Sequence, residues 1–459
     1  MVLWIGVDDT DSLGGMCTTY LATELIRALT EEYDLIGYPR LVRLNPNIPW
    51  KTRGNGAVCV RVGRGSGPAD VIGEIDGHEM LSYARWRGPA DPRRAEEIVD
   101  ALVTQWARFD DGTTNPGFAV LVRPPSPSLY WKAVRGIVLK EEALRFAAGL
   151  GVVREYKNGR GVIGALSAIA WRPRDRTYEI LAYRDPARWG TRRQVDEASV
   201  IEMDRALPST FNNFDYDNER MVIAPRSPCP ILFGIRGDDP KDLRRAIERI
   251  RGEEPERWFV FETNQGTDDH VVRTRRPIPR TTIRFRSSVS EEPVILPGGH
   301  VVLRLPEIEV TAYEPSKQFR EVVRQLLPGD RVEVVGAVRE NPRTLNLEKL
   351  RVISPVRREV KVANPVCPSC GKHAKSMGRG RPFRCARCGL RLPRSKANFS
   401  FPPRAISEGW YEPPVGSRRH LSKPLKRMRG PPQSDAGLGR LLNAKPGNPV
   451  SDLEVLDDL

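Results

Sequence analysis

The chain has 459 residues, 39% hydrophobic and 29% charged, with a formal net charge of +15. That length exceeds a single hydrophobic core and calls for about three or four domains of roughly 100–200 residues each, while the excess of base calls for a polyanionic partner. No apolar run reaches the roughly 18 residues of a membrane span, and the first residues carry acids without a basic segment, so membrane and secretory classes are excluded and a cytoplasmic location is expected.

The apolar run Val2-Leu3-Trp4-Ile5-Gly6-Val7 predicts a buried strand. It ends in Asp8-Asp9-Thr10-Asp11-Ser12, and Leu21, Leu25, Ala28 and Leu29 then recur at helical spacing. Polar residues at the carboxyl end of a strand mark where open α/β sheets bind ligands. Three crowded carboxylates repel one another unless a cation lies between them, and magnesium carrying nucleotide phosphates is the usual solution. Asp8, Asp9 and Asp11 are therefore candidate catalytic residues, with Gly14 and Gly15 letting backbone N–H groups approach phosphate. Cys17, Thr18 and Thr19 fall at the positive end of the helix. The alternative is an Asx-capped Asp/Gly turn. The absence of a Walker A pattern excludes a P-loop.

Strands are predicted near residues 39–44 and 57–62, flanking an Asn/Pro/Gly-rich loop. Within that loop Lys51, Arg53 and Asn55 are candidate phosphate contacts, and a solvated turn is the alternative. Asp91-Pro92 opens a helix with Ile98, Leu102, Trp106 and Phe109 as its apolar face, followed by a strand at 118–122. Residues 126–184 read as helix, strand, helix, strand around the turn Asn158-Gly159-Arg160-Gly161. The loop Asn212-Asn213-Phe214-Asp215-Tyr216 gathers carboxylate, amides and aromatic faces. Residues 230–262 read as a compact βαβ unit whose helix buries Leu243, Ala246, Ile247 and Ile250. It closes on a second polar cluster at a strand end, where Asn264 is a further cofactor candidate; His270 has no His or Cys neighbour to make a catalytic zinc site.

Beyond the basic linker 273–280, short alternating strands at 281–289, 300–312, 331–339 and 345–353 with one helix at 318–327 predict a Greek-key barrel of the OB type. Phe285, Tyr313 and Phe319 either stack unpaired bases or fill its core. Cys367, Cys370, Cys385 and Cys388 form two Cys-x-x-Cys knuckles, each followed by glycine, and predict one structural zinc with a closed shell. From residue 356 to 400 there are twelve Lys/Arg and one acid, Glu359, so the zinc ribbon is expected to grip a phosphate backbone. From Ile406 onward loose segments are expected, ending in an acidic tail with Asp452, Glu454, Asp457 and Asp458.

Several blocks in order along the chain resemble archaeal isoleucine-tRNA agmatinylcytidine synthetases. They are Gly6-Val7-Asp8-Asp9-Thr10-Asp11-Ser12 with Gly15-Met16-Cys17-Thr18-Thr19-Tyr20, Leu44 through Gly56, Asn264-Gln265-Gly266-Thr267-Asp268, Tyr313-Glu314-Pro315-Ser316-Lys317, and Arg418-Arg419-His420-Leu421-Ser422-Lys423-Pro424. The resemblance implies an ATP- and magnesium-dependent enzyme that joins agmatine to carbon 2 of the wobble cytidine of isoleucine tRNA with a CAU anticodon. It further implies AMP formation, a phosphorylated base, and phosphorylation of a threonine whose matching position is Thr18. The expected fold is multidomain α+β. A kinase-like phosphate-handling catalytic domain takes 1–125, a ferredoxin-like domain 126–200, and an α/β segment completing the catalytic region 201–275. An OB fold takes 281–356, a zinc ribbon 362–396, and a basic segment with an acidic tail 397–459. Agmatine's guanidinium calls for a carboxylate or amide pair, and Asp215 with Asn213 is the candidate; a surface loop is the alternative. The rival class is a non-catalytic single-stranded nucleic-acid binder using the OB fold and ribbon.

Overall fold

The structure is a computed structural model that describes residues 2–51, 54–378 and 380–428; Arg53 and the acidic tail lie outside the described residues. The first 263 residues build one mixed sheet of eleven strands. Its elements in chain order begin with β1 (Leu3–Asp8), α1 (Thr18–Leu29), β2 (Asp34–Ile36), β3 (Arg40–Arg43), β4 (Gly56–Ile75), β5 (His78–Arg87), α2 (Pro92–Trp106) and β6 (Gly117–Leu121). They continue with α3 (Ser128–Arg135), α4 (Lys140–Ala147), β7 (Gly151–Glu155), α5 (Gly161–Ala170), β8 (Thr177–Tyr183), α6 (Glu197–Ala206) and β9 (Thr210–Phe211). The small hairpin β10 (Phe214–Asp215) and β11 (Arg220–Met221) stands apart, and β12 (Ile231–Gly237), α7 (Pro240–Ile247) and β13 (Arg257–Thr263) complete the set.

The spatial order is β7-β6-β1-β4-β3-β13-β8-β12-β9, with β2 and β5 beside β4. Among the described pairings of this sheet only β3 with β13 and β2 with β5 are parallel. The seam between the two halves is the β3–β13 pair, Arg40 opposite Glu262 and Leu41 opposite Thr263. There the buried Arg40 guanidinium donates to Glu262 at 3.1 Å and stacks on Trp4 and Trp171. One face of the sheet is covered by α1 and α2, where Leu21, Leu25 and Ile26 pack on Ile5, Val7 and Val60. The other face is covered by α3, α4 and α5.

Three expectations change. The strand predicted at 57–62 runs on to Ile75 and returns as β5; the glycines at 63, 65 and 67 interrupt the apolar alternation that would have revealed it. Helix α2 is capped by Asp91 as expected, its carboxylate accepting from the Arg93 N–H at 2.9 Å, but its buried face is Ala95, Val99 and Val103. Ile98, Leu102, Trp106 and Phe109 are only partly buried, because the smaller side chains are the ones that fit beneath the helix. In the unit at 230–262, β12 and β13 are not neighbours: β8 lies between them, antiparallel to both.

A second sheet follows, built from β14 (Val271–Arg273), β15 (Thr282–Ser288), β16 (Val294–Ile295), β17 (Val301–Arg304), β18 (Glu309–Ala312), β19 (Arg331–Val338) and β20 (Leu345–Ser354), with α8 (Gln318–Arg324) between β18 and β19. The segment expected as one strand at 300–312 is thus a hairpin. Phe285 and Phe319 are core, whereas Tyr313 stays near the surface and accepts from Arg339 at 2.9 Å. Residues 406–428 are not loose. Gly409–Tyr411 adds a strand to β20, and the chain then crosses back over the first sheet, where Gly266 donates to the His420 carbonyl at 2.8 Å and Lys423 meets Asp175 at 2.9 Å. No helix among the described residues is long and apolar enough to cross a membrane.

Removing one partner of a buried ion pair strands the other charge, at a cost of about 3–5 kcal/mol. Glu262 also accepts from Arg176 at 3.0 Å. Glu262→Ala is therefore expected to lower unfolding stability by about that amount, read as a shifted denaturant midpoint.

Candidate active site and metal centre

β1 carries Asp8 to the edge of the sheet, and the turn after it places Asp9 at φ 59°, in the left-handed region. There the Asp9 carboxylate accepts from Arg160 at 2.9 and 3.2 Å. Asp8 points at the first turn of α5, where a Cβ on Gly164 would stand 1.8 Å from its Oδ2, so only glycine lets helix and carboxylate approach. Burial, then the charges of Asp9 and Asp11, push the Asp8 carboxyl well above its ordinary range. The turn is tied down by Thr114, whose hydroxyl donates to the Asp11 carbonyl at 2.6 Å. Thr18 is the first helical residue of α1 and not its cap: Cys17 holds that position without a side-chain cap bond. The buried Thr10 hydroxyl donates to that of Thr18 at 3.1 Å. Gly14 and Gly15 shape the turn, Ser12 N–H donating to the Gly15 carbonyl at 3.0 Å, and neither lines the cavity described next.

Asp8, Asp9, Asp11 and Thr18 line a cavity of about 340 Å³ whose other walls come from distant parts of the chain. Arg43 enters from the end of β3, Glu179 from β8, Arg236 from β12 and His420 from the returning C-terminal segment. Glu179 accepts from Arg236 at 2.9 Å and from Gln265 at 2.5 Å. The Arg236 guanidinium also donates to His420 Nδ1 at 3.0 Å. His420 is exposed on the cavity wall, where desolvation, then the charges of Arg43, Arg236 and Lys51, hold its imidazole well below its ordinary pKa and favour the neutral ring. With Nδ1 accepting, the ring proton belongs on Nε2.

Lys51 and Asn55 also line the cavity. Lys51 reaches the Pro46 carbonyl, and Asn55 donates to the Asn45 carbonyl at 2.8 Å, so the amide's visible work is to hold its own loop. Asn264 is fully buried and outside the cavity wall. Its amide accepts from the Arg43 N–H at 2.7 Å and donates to the Arg43 carbonyl at 2.8 Å, a clamp that extends the β3–β13 seam and fixes the base of Arg43. The 212–216 loop is tied to its own neighbours. Asn213 donates to Asp204 and Thr210, each at 2.8 Å, and Asp215 accepts from Asn218 at 3.0 and 3.1 Å. Neither lines the cavity; their neighbour Asn212 does, at φ 60° and held by Arg418 at 2.8 Å. Arg43, Arg160, Glu179, Arg236 and His420 were not singled out from the sequence. The only sequence signals near them were the 158–161 turn, the end of the strand before residue 44 and the block around His420.

The four cysteines converge as their spacing predicts. Cys367, Cys370, Cys385 and Cys388 offer sulfurs that all lie within 4.8 Å of one another. The knuckle glycines Gly371 and Gly389 sit at φ 69° and 73° and donate back to the Cys367 and Cys385 carbonyls at 2.9 and 3.0 Å. Four convergent thiols fit one tetrahedral zinc and leave no ligand position open. Phe383, Leu392 and Ala374 make the small core beneath.

The family model for the TiaS TCKD domain matches residues 4–158, that for the TiaS FLD domain matches 159–270, and that for the TiaS C-terminal zinc ribbon domain matches 364–406. The isoleucine-tRNA 2-agmatinylcytidine synthetase TiaS of Methanocaldococcus jannaschii is 38% identical over 441 residues, covering 93% of this chain and 99% of that protein. A crystal structure of TiaS in complex with its isoleucine tRNA and ATP is 37% identical with a TM-score of 0.80, covering 93% of this chain and 98% of that one. A complex of TiaS with the same tRNA, AMPCPP and agmatine is 36% identical with a TM-score of 0.78 and the same coverage.

Metal analysis of the purified protein is expected to find about one zinc per chain. Cys385→Ser should lose it and open the ribbon around Phe383 to proteolysis while the first sheet stays folded.

Proposed function

The chain belongs to the TiaS family, and from that premise we propose how its cavity carries out the family's reaction. It converts a cytidine of isoleucine tRNA to agmatidine in an ATP-dependent reaction with agmatine. The non-catalytic binder is thereby set aside.

The cytidine concerned is the wobble base of the CAU anticodon. The oxygen on its carbon 2 leaves poorly; transfer of phosphate onto that oxygen makes it a leaving group, and the agmatine amine then attacks carbon 2 as phosphate departs with the oxygen and the amine gives up a proton. The observation that carries this reading is that Thr18, at the positive end of α1, shares one cavity with Asp8, Asp9 and Asp11. Magnesium fits that carboxylate set, since a hard cation offsets the burial and the neighbouring charges of Asp9 and Asp11 that raise the Asp8 pKa. Asp8, Asp9 and Asp11 would hold it, and it would neutralise triphosphate charge there. Thr18 is the proposed acceptor of a phosphate on the enzyme. Arg43, Lys51 and Arg236 stand on the other walls to stabilise charge that develops on transfer. His420, neutral and protonated on Nε2, donates a hydrogen bond to substrate oxygen. Arg53 stays a candidate phosphate contact, and Gly14 and Gly15 serve by shaping the acid turn. Asn264 and Asn55 act by holding Arg43 and the 45–56 loop in place.

For the layout we propose a kinase-like catalytic part and a ferredoxin-like part divided near residue 158, where the family models divide the chain, in place of the expected bounds at 125 and 200. The interleaved β8, β12 and β13 with α7 crossing over support the second assignment. The OB fold at 281–356 is supported by the order β15-β19-β20-β18-β17 with α8 inserted before β19. The ribbon, with its excess of base, would grip the tRNA backbone.

Thr18→Ala is expected to give no agmatidine and no phosphoprotein when incubated with ATP, agmatine and unmodified tRNA, read by nucleoside mass spectrometry. A purely local role, the hydrogen bond with Thr10, would cost about 0.5–1.5 kcal/mol of stability and leave turnover intact, so normal product from a folded variant would overturn the assignment. Asp215→Asn, turned from the cavity, is expected to leave the agmatine dependence unchanged.

A further inference from the structure

One wall of the cavity is the segment 222–230 between β11 and β12, which has no regular structure, together with Ile231 at the start of β12. Pro225, Pro228 and Pro230 fall within it. Proline lacks an N–H, so such a segment cannot be held by a strand ladder, yet its carbonyls still need donors. Backbone N–H groups of Gly234 and Arg184 serve Ile223 and Pro230, and one side chain serves three others and Ile231. Arg193 donates from Nε to the Ile231 carbonyl at 2.7 Å, from one terminal nitrogen to Pro225 at 2.8 Å, and from the other to Ser227 at 2.9 Å and Cys229 at 2.8 Å. All four acceptors belong to residues that line the cavity. Arg193 is itself braced from behind. Glu253 accepts from the fully buried Arg184 at 2.7 and 2.8 Å, Arg184 donates to the Thr191 carbonyl at 2.7 Å, and Glu253 N–H donates to the Gln194 carbonyl at 2.7 Å. The loop on either side of Arg193 is thus fixed before it reaches the wall.

We infer that Arg193 is a positioning residue for the amine half of the reaction: without touching substrate, it fixes the wall against which agmatine is held. This rests on the reading of the cavity as the agmatine site. The side chains that this wall presents, Val222, Ile223, Pro225, Ser227, Cys229 and Ile231, carry no formal charge. Such a surface suits the four-carbon chain of agmatine and offers nothing to a triphosphate, so its displacement bears on the amine and not on the nucleotide. Only arginine can do this: its planar fork reaches four carbonyls at once, whereas lysine brings a single point of charge with three donors.

The test compares Arg193→Lys and Arg193→Gln with the unaltered full chain, with folding checked by circular dichroism and ATP and agmatine varied separately. A misplaced wall should raise the agmatine concentration for half-maximal turnover by about tenfold or more, with ATP dependence changed by less than about threefold. Should the Gln variant not fold, the Lys variant, which keeps charge and most of the stem, decides. Ser227→Trp, which fills the cavity, separates the two levels of the reading. If it turns over normally, the cavity is not the site. If it is inactive while folded Arg193 variants keep a normal agmatine dependence, or lose ATP and agmatine dependence alike, the role given to Arg193 is overturned.

Discussion

The whole site depends on the parallel contact of β3 with β13. It is the place where a chain segment from the first fifty residues is joined to one beyond residue 256, and it is secured twice. On one side of the sheet the Arg40–Glu262 pair is buried between Trp4 and Trp171. Just beyond the paired residues, Asn264 reproduces the missing ladder bonds by accepting from and donating to the Arg43 backbone. Arg43 is thereby carried to the cavity that Asp8 also lines, and Glu179 and Arg236 fall in line because β8 and β12 are stacked outward from β13. A one-residue slip at this seam would turn Arg43 and Leu41 to the opposite face and separate the acid turn from its counter-charges.

Within the cavity, the acid turn and the cluster of Arg43, Lys51 and Arg236 belong to different walls, and Glu179 is paired with Arg236. Among the described residues Arg160 stands at salt-bridge distance of Asp9, while Arg43, Lys51 and Arg236 gather where His420 enters. Such an arrangement is well suited to a triphosphate, whose charge lies between a cation held by carboxylates and the basic wall. It also bears on His420: desolvation at its site and three neighbouring cations disfavour a further positive charge there.

The C-terminal segment is a structural member of the site and not an appendage. Asp268 receives Lys349 of the second sheet at 2.6 and 2.8 Å and the Lys423 N–H of the returning chain at 2.6 Å, so one carboxylate ties together the end of the first sheet, the second sheet and the strap. Glu348 next to it takes Arg419 at 3.0 Å and His270 at 3.0 Å. Buried pairs of this kind return little net stability after desolvation; their effect here is to set position, since His420 lies between Arg419 and Leu421 and can reach Arg236 only if both neighbours are anchored.

What the sequence determined by itself was whatever depends on short spacing. The Cys-x-x-Cys knuckles, the acid turn at the end of an apolar strand, the Asp91 cap and the strand–helix–strand alternation each involve residues a few positions apart, and local geometry follows from backbone periodicity and capping chemistry. The family resemblance was legible for the same reason, because its blocks are short and contiguous. Only the tertiary structure decided which of the polar residues face one another. Glu179, Arg236 and His420 read as ordinary polar residues on their own elements, and they become a set because non-adjacent strands and a strap from residue 420 meet at one sheet edge. In the other direction, Asp215 and Asn213 have suitable chemistry in a loop beside the cavity, but it is Asn212 that lines it, while Asn213 donates to Asp204 and Thr210 and Asp215 accepts from Asn218. Side-chain direction is set by backbone torsion and by which partner is nearer in space, and neither quantity is written in the order of residues along the chain.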